Sequence, residues 1–188
     1  MLKMSLIAAS LSICAAVAHA QTLSDLRGRY AIAPSSQIAF SLGQVGGEGI
    51  NGRFARFSGT FELHPDNVAR SSVTIELQPA TVVAGEPRVE NFLRSDAVFD
   101  VASHPTITFR STSVRQDGPN SAVIEGNLTA RGITRRETFH ATLAGSRGRT
   151  VTFHVVGDVY RSPYGMDVGT PMYSNVVHFD MMLHGQRL

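Results

Sequence analysis

The sequence predicts an all-β chain, with eight antiparallel strands closed into a barrel and a short amphipathic helix inserted between strands 3 and 4. Three observations point there. Apolar and polar residues alternate with period two along most of the chain, glycine-rich and polar turns separate the alternating runs, and one stretch near residue 90 breaks the rhythm. Strands with one apolar and one polar face belong to antiparallel sheets wetted on a single side. Strands longer than ten residues joined by short turns would leave long unpaired edges in an open sheet, which favours a barrel over a sandwich.

The first twenty residues, MLKMSLIAASLSICAAVAHA, carry one positive charge, an apolar run from Leu6 to Val17 and the small-residue ending Ala18-His19-Ala20. This is the pattern of a secretory signal peptide, with cleavage expected after Ala20 and a periplasmic destination. The run is too short to serve as a membrane anchor. Cys14 offers a second reading as a lipidation site, but Ile13 is bulky where a lipoprotein signal wants a small residue. Residues 21–188 then form one domain. The only cysteine and the only lysine, Lys3, lie in the leader, so the exported domain relies on packing rather than on a disulfide.

Strands are expected near residues 29–45, broken at Pro34, and near 50–63, 71–79, 105–115, 121–130, 133–143, 150–160 and 175–186. In SSVTIELQ, Val73, Ile75 and Leu77 share a face. Phe139, Ala141 and Leu143 do the same, as do Val151, Phe153, Val155 and Val159, and then Val177, Phe179, Met181 and Leu183. Turns are expected at 64–67, 116–120, 131–132 and 145–148.

Residues 86–99 form the exception. Pro87 suits a first helical turn, Glu86 and Glu90 lie near the positive end of the helix dipole, and Val89, Phe92 and Leu93 fall on one stripe. Such a helix must bury its stripe, and the open end of the barrel is the available surface.

Charge is nearly balanced, 17 basic against 15 acidic residues, with no basic block, so nucleic-acid binding is unsupported. Gly47 to Gly52 matches GxGxxG by letter. The strand-like RFARFSGTFEL that follows cannot supply the helix N-terminus a dinucleotide needs, so a glycine-rich hairpin at the rim is expected instead. His178, Asp180 and His184 share a strand face with the spacing of a metal pair, but the apolar residues between them claim the interior and turn them outward. No GxSxG or HExxH is present, and neither an enzyme activity, a cofactor nor a metal is called for.

The ten phenylalanines are spread over nearly every strand and the helix. They either fill the barrel as a solid core or line a lumen just wide enough for one slender apolar ligand. The residues alone do not choose between these.

GRFARFSGTFEL, SSVTIEL, FLRSDAVFDVASHPTITFRSTSV, IEGNLTARGITRRETF and the late RSPYGM together resemble the YceI-like family, from about Tyr30 to His184. The most specific part is LRSDAVFDVASHPTITFRSTSV. The resemblance implies a lipocalin-like barrel with a helix between its third and fourth strands. It also implies a tunnel for a long isoprenoid or fatty chain, and no catalysis. The family pattern matches at Gly52, Phe54, Phe57, Ser58, Gly59, Leu93, Arg94, Ser95, Phe99, Asp100, Pro105, Phe109, Gly126, Leu128, Gly132 and Thr134.

The chain departs from the pattern at Phe92 and Ser35, where the family often has histidine, and in the apolar TVVAGEPRVEN. These changes favour a weakly polar or neutral head group over a diphosphate. The expected tunnel and flap comprise Phe40, Phe54, Phe57, Phe61, Ile75, Leu77, Phe92, Leu93, Phe99, Phe109, Phe153, Phe179 and Met181, with Arg94 and Asp96 as head-group candidates. Arg94 is expected to pair with Asp100 or to cap backbone carbonyls. The expected partner is a long-chain isoprenoid or other lipid. A homodimer is compatible with the sequence, which does not fix the oligomeric state.

Overall fold

The computed structural model describes residues 22–188. The expected leader, its cleavage point and Cys14 lie outside them. The strands are β1 (Gly28–Ile32), β2 (Gln37–Gln44), β3 (Gly47–Phe54), β4 (Phe57–Leu63), β5 (Ser72–Leu77), β6 (Val82–Val83), β7 (Ile107–Gln116), β8 (Ser121–Ala130), β9 (Ile133–Arg147), β10 (Thr150–Tyr160) and β11 (Tyr173–Arg187), with one helix, α1 (Pro87–Arg94). All pairings are antiparallel, and β1 pairs with both β4 and β11, which closes the sheet. Three staves are broken strands: β1 with β2, β3 with β4, and β5 with β6. The barrel is therefore eight-stranded, as the sequence predicts.

The breaks have local causes. Pro34 lacks an amide hydrogen and interrupts the first stave. Ser36 repairs the gap, its hydroxyl accepting the His184 amide at 2.9 Å. The second stave breaks at Ala55 and Arg56, whose amides donate to the Thr81 carbonyl and hydroxyl at 3.2 and 2.9 Å. The turn at 78–81 thus follows the kink, and β6 resumes pairing with β3 beyond it.

Two expectations are corrected. The turn placed at 145–148 is mostly strand: β9 runs on to Arg147, a bulge opposite Thr152 and Phe153 absorbs the irregularity, and the chain reverses at Gly148 with φ of 60°. The helix placed at 86–99 stops at Arg94. There the Ser95 hydroxyl caps the Phe92 carbonyl at 2.7 Å, and the chain continues in turns, with the Phe99 amide donating to Leu93 and that of Asp100 to Ser95. Serine and aspartate bond the local backbone in competition with helix, which explains the early stop.

The two ends of the barrel differ. At one, which we call the mouth, lie the β2–β3 hairpin, α1 with the turns after it, the β8–β9 hairpin and the long β10–β11 connection. The other, the base, is covered by the N-terminal segment. A short 3-10 turn over Leu23–Asp25 buries Leu23 and Leu26 there, and the Leu23 amide donates to the Pro119 carbonyl at 3.0 Å.

Candidate functional site: a lumen lined by phenylalanine

Period-two alternation turns one residue in two inward along each stave, and this builds a continuous apolar wall. The wall does not close on itself. A chamber of about 140 Å³ occupies the mouth half, and a second of about 70 Å³ occupies the base half.

The phenyl rings leave this space open because they lie along the wall. Phe109 on β7 leans over Gly126 on β8, and Phe139 on β9 leans over Gly157 on β10. Phe40 covers Gly52, and Phe61 covers Gly185. At each of the four glycines a Cβ atom would overlap the ring above it, so the missing side chain is the recess that holds the ring. The rings then touch in sequence around the circumference. Phe109 meets Phe139 at 5.2 Å between centroids, and Phe139 meets Phe179 at 6.1 Å. Phe179 meets Phe40 at 6.4 Å, Phe40 meets Phe54 at 5.4 Å, and Phe54 meets Phe99 at 5.7 Å. Only near the base does a pair reach between more distant staves, where Phe61 and Phe153 stack edge to face at 5.7 Å.

Most of the expected site residues come together. Phe40, Phe54, Ile75, Leu77, Leu93, Phe99, Phe109, Phe179 and Met181 line the mouth chamber, while Phe61 and Phe153 line the base chamber. Phe57 is half-buried against the core and lines neither. Phe92 also stands apart: it is 44% exposed and outside the lining. With only two turns, α1 offers Val89 and Leu93 at i and i+4 to the interior, and Phe92 is rotated to the side.

The head-group candidates are placed elsewhere. Arg94 ties the helix to the preceding turn, with Nε donating to Ala80 O at 2.9 Å and Nη2 to Val82 O at 2.8 Å and Glu90 Oε2 at 3.2 Å. Its carboxylate partner is Glu90, not Asp100, and it is absent from the lining of either chamber. Asp96 is exposed.

Three residues of the β10–β11 connection roof the mouth chamber without having been foreseen: Arg161, Tyr164 and Met166. They lie in RSPYGM, which has no periodicity to read. Among the described residues Arg161 is the one charged side chain in the mouth-chamber lining, and it is 6% exposed. Backbone carbonyls occupy its guanidinium: Ser174 at 2.8 Å, Val168 at 2.9 Å, Tyr173 at 3.3 Å, and Met166. Desolvation by burial lowers its pKa, partly opposed by Asp167. Tyr164 is fully buried, and its phenol donates to Glu137 Oε1 at 2.7 Å. Burial, followed by this carboxylate, raises the phenol well above its ordinary range. Phe139, Ile38 and Leu42 also line the chamber, and their alternation with neighbours made them findable from sequence.

The outward histidines do not converge. His178 pairs with Asp158 at 2.6 Å, Asp180 with His154 at 2.8 Å, and His184 with the Thr152 hydroxyl at 2.9 Å. Among the described residues no three of His, Cys, Asp or Glu are grouped to hold a metal ion.

Comparison with known proteins agrees with this geometry. The model of the YceI-like domain matches residues 30–184. A UPF0312 protein of Vibrio cholerae is 30% identical over 140 residues, covering 74% of this chain and 71% of that protein. One of Pseudomonas aeruginosa is 33% identical over 121 residues, covering 64% and 60%. Among solved structures, BcnA of Burkholderia cenocepacia superposes with a TM-score of 0.76 at 23% identity, over 81% of this chain and 98% of that one. A polyisoprenoid binding domain from Saccharophagus degradans, implicated in plant cell wall breakdown, superposes with a TM-score of 0.68 at 13% identity, over 87% and 100%. At such identities the superpositions speak for the barrel alone, whereas the family model spans nearly all of it: the chain belongs to the YceI-like family.

Proposed function

We propose that this protein is an exported, periplasmic, non-enzymatic binding protein that sequesters one long-chain amphiphile with its tail in the lumen. The tail would come from a polyisoprenoid, an isoprenoid quinone or a fatty-acid-like lipid. The observation that carries this is the unfilled apolar chamber, whose phenyl rings are recessed into the wall. Burial supplies the affinity: each methylene removed from water contributes about 0.8 kcal/mol before the cost of ordering the chain. The polyisoprenoid binding domain with the same fold supports the ligand class. Export rests on the leader-like pattern of residues 1–20.

The head group is neutral or weakly polar in this reading. The single cation lining the mouth chamber is engaged by backbone carbonyls, which leaves little to neutralise a diphosphate. Organic extraction of the protein purified from its native compartment, followed by mass spectrometry, tests the proposal. An isoprenoid or acyl amphiphile at near-stoichiometric load is expected. A lipid-free extract from folded protein would overturn it.

A further inference from the structure

The lumen is divided, and the division has a chemistry of its own. Val73 on β5, Ile124 on β8, Val155 on β10 and Leu183 on β11 each line both the mouth chamber and the base chamber. They come from four staves distributed around the barrel, so they form a collar between the two voids. Beyond the collar lie the Phe61–Phe153 pair and the floor of Leu23 and Leu26. The base chamber is thus an apolar space, already unfilled, at the far end of the proposed tail path.

We infer that this collar sets the longest tail the protein accepts, with Leu183 as its adjustable member. This rests on the amphiphile-binding reading above. Three of the four side chains are β-branched and stiff at χ1, so they act as a fixed stop. Leucine is not so restricted, so of the four residues lining both chambers Leu183 is the one best able to move aside. A tail that ends at the collar fills the mouth chamber alone. A longer one must either leave carbons outside the mouth, in water, or displace the collar and enter the base chamber. The penalty for the first course grows with every methylene left exposed. Length selection therefore follows from aliphatic packing alone, independent of the head group.

The test uses the full chain, delipidated and refilled with the isoprenols geraniol, farnesol and geranylgeraniol, with affinities measured by calorimetry or displacement of a fluorescent probe. In the natural protein, affinity is expected to rise with length and then level or fall. In Leu183→Ala that turning point moves up by an isoprene unit, with a gain of roughly tenfold for the first chain beyond the natural limit. Ile124→Val, which removes a single methylene, shifts the profile in the same direction by less and serves should Leu183→Ala fail to fold. Val155→Leu thickens the collar and is expected to shorten the limit, and an unmoved limit in that folded variant would count against the collar. Unchanged length profiles in folded Leu183→Ala or Ile124→Val would overturn the collar while leaving amphiphile binding intact. Failure of the natural protein to bind any of the alcohols, together with a lipid-free native extract, would overturn both.

Discussion

Phe40 and Gly52 are directly paired across the β2–β3 ladder, and the ring of one occupies the space where the other has no side chain. The pairing converts a bulky residue into part of a smooth wall. Replacing Gly52 by valine would force the Phe40 ring off the wall and into the lumen. Overpacking of this kind costs about 1–3 kcal/mol, measurable by denaturant titration. The same variant is expected to carry less lipid, because the displaced ring takes the ligand's place.

Arg131, at the tip of the β8–β9 hairpin, joins the two elements that cover the mouth. Its Nη1 donates to Val98 O at 3.0 Å, in the turns after α1, and to Gly165 O at 3.1 Å, in the β10–β11 connection. Arg131→Gln should loosen both covers and speed exchange of a bound fluorescent fatty acid. Unfolding free energy should fall by only about 1 kcal/mol, the usual scale for such hydrogen bonds. Exchange at the natural rate would show that the covers open independently of this residue.

The guanidinium of Arg161 organises the connection that roofs the lumen. Methionine at this position matches much of its volume but leaves buried carbonyls without their donor. Arg161→Met is therefore expected to cost about 3 kcal/mol in stability. Proteolysis should then begin within residues 162–172 rather than in the strands, and the first cleavage site, read by mass spectrometry, checks this.

Tyr164 makes a prediction about pH. Its phenol is neutral in the fold and its pKa is raised above the ordinary value near 10.0. The folded state therefore holds this proton more tightly than the unfolded chain does. The stabilisation is fully present at neutral pH and declines as pH climbs past about 10. Tyr164→Phe should lose the bond to Glu137 at neutral pH yet show a shallower alkaline decline. Thermal melts at neutral pH and above pH 10 would read both effects.

The staves were legible because burial on one side imposes period two, and Val151, Phe153, Val155 and Val159 could hardly be arranged otherwise. The hollow was not legible. Whether Phe139 points across the axis or along the wall depends on Gly157, which sits on the neighbouring strand. Nothing local to Phe139 reports that partner. The same limit applies to Arg161, which looks like any surface cation until four carbonyls from residues 166–174 fold around it. Arg94 bears out one of its two expected roles, the capping of backbone carbonyls. Its position beside an acidic, aromatic stretch resembled a binding site, yet its donors close a local turn. Period-two packing is written locally, while cross-strand recesses and loop anchors are written only in the register.

Leu23 and Leu26 are buried at the base, and the Leu23 amide ties the N-terminal segment to the β7–β8 turn through the Pro119 carbonyl. On the function proposed above, an amphiphile lying with its tail in the lumen and its head at the mouth would enter and leave by that one end, so donor and acceptor would use the same rim in turn.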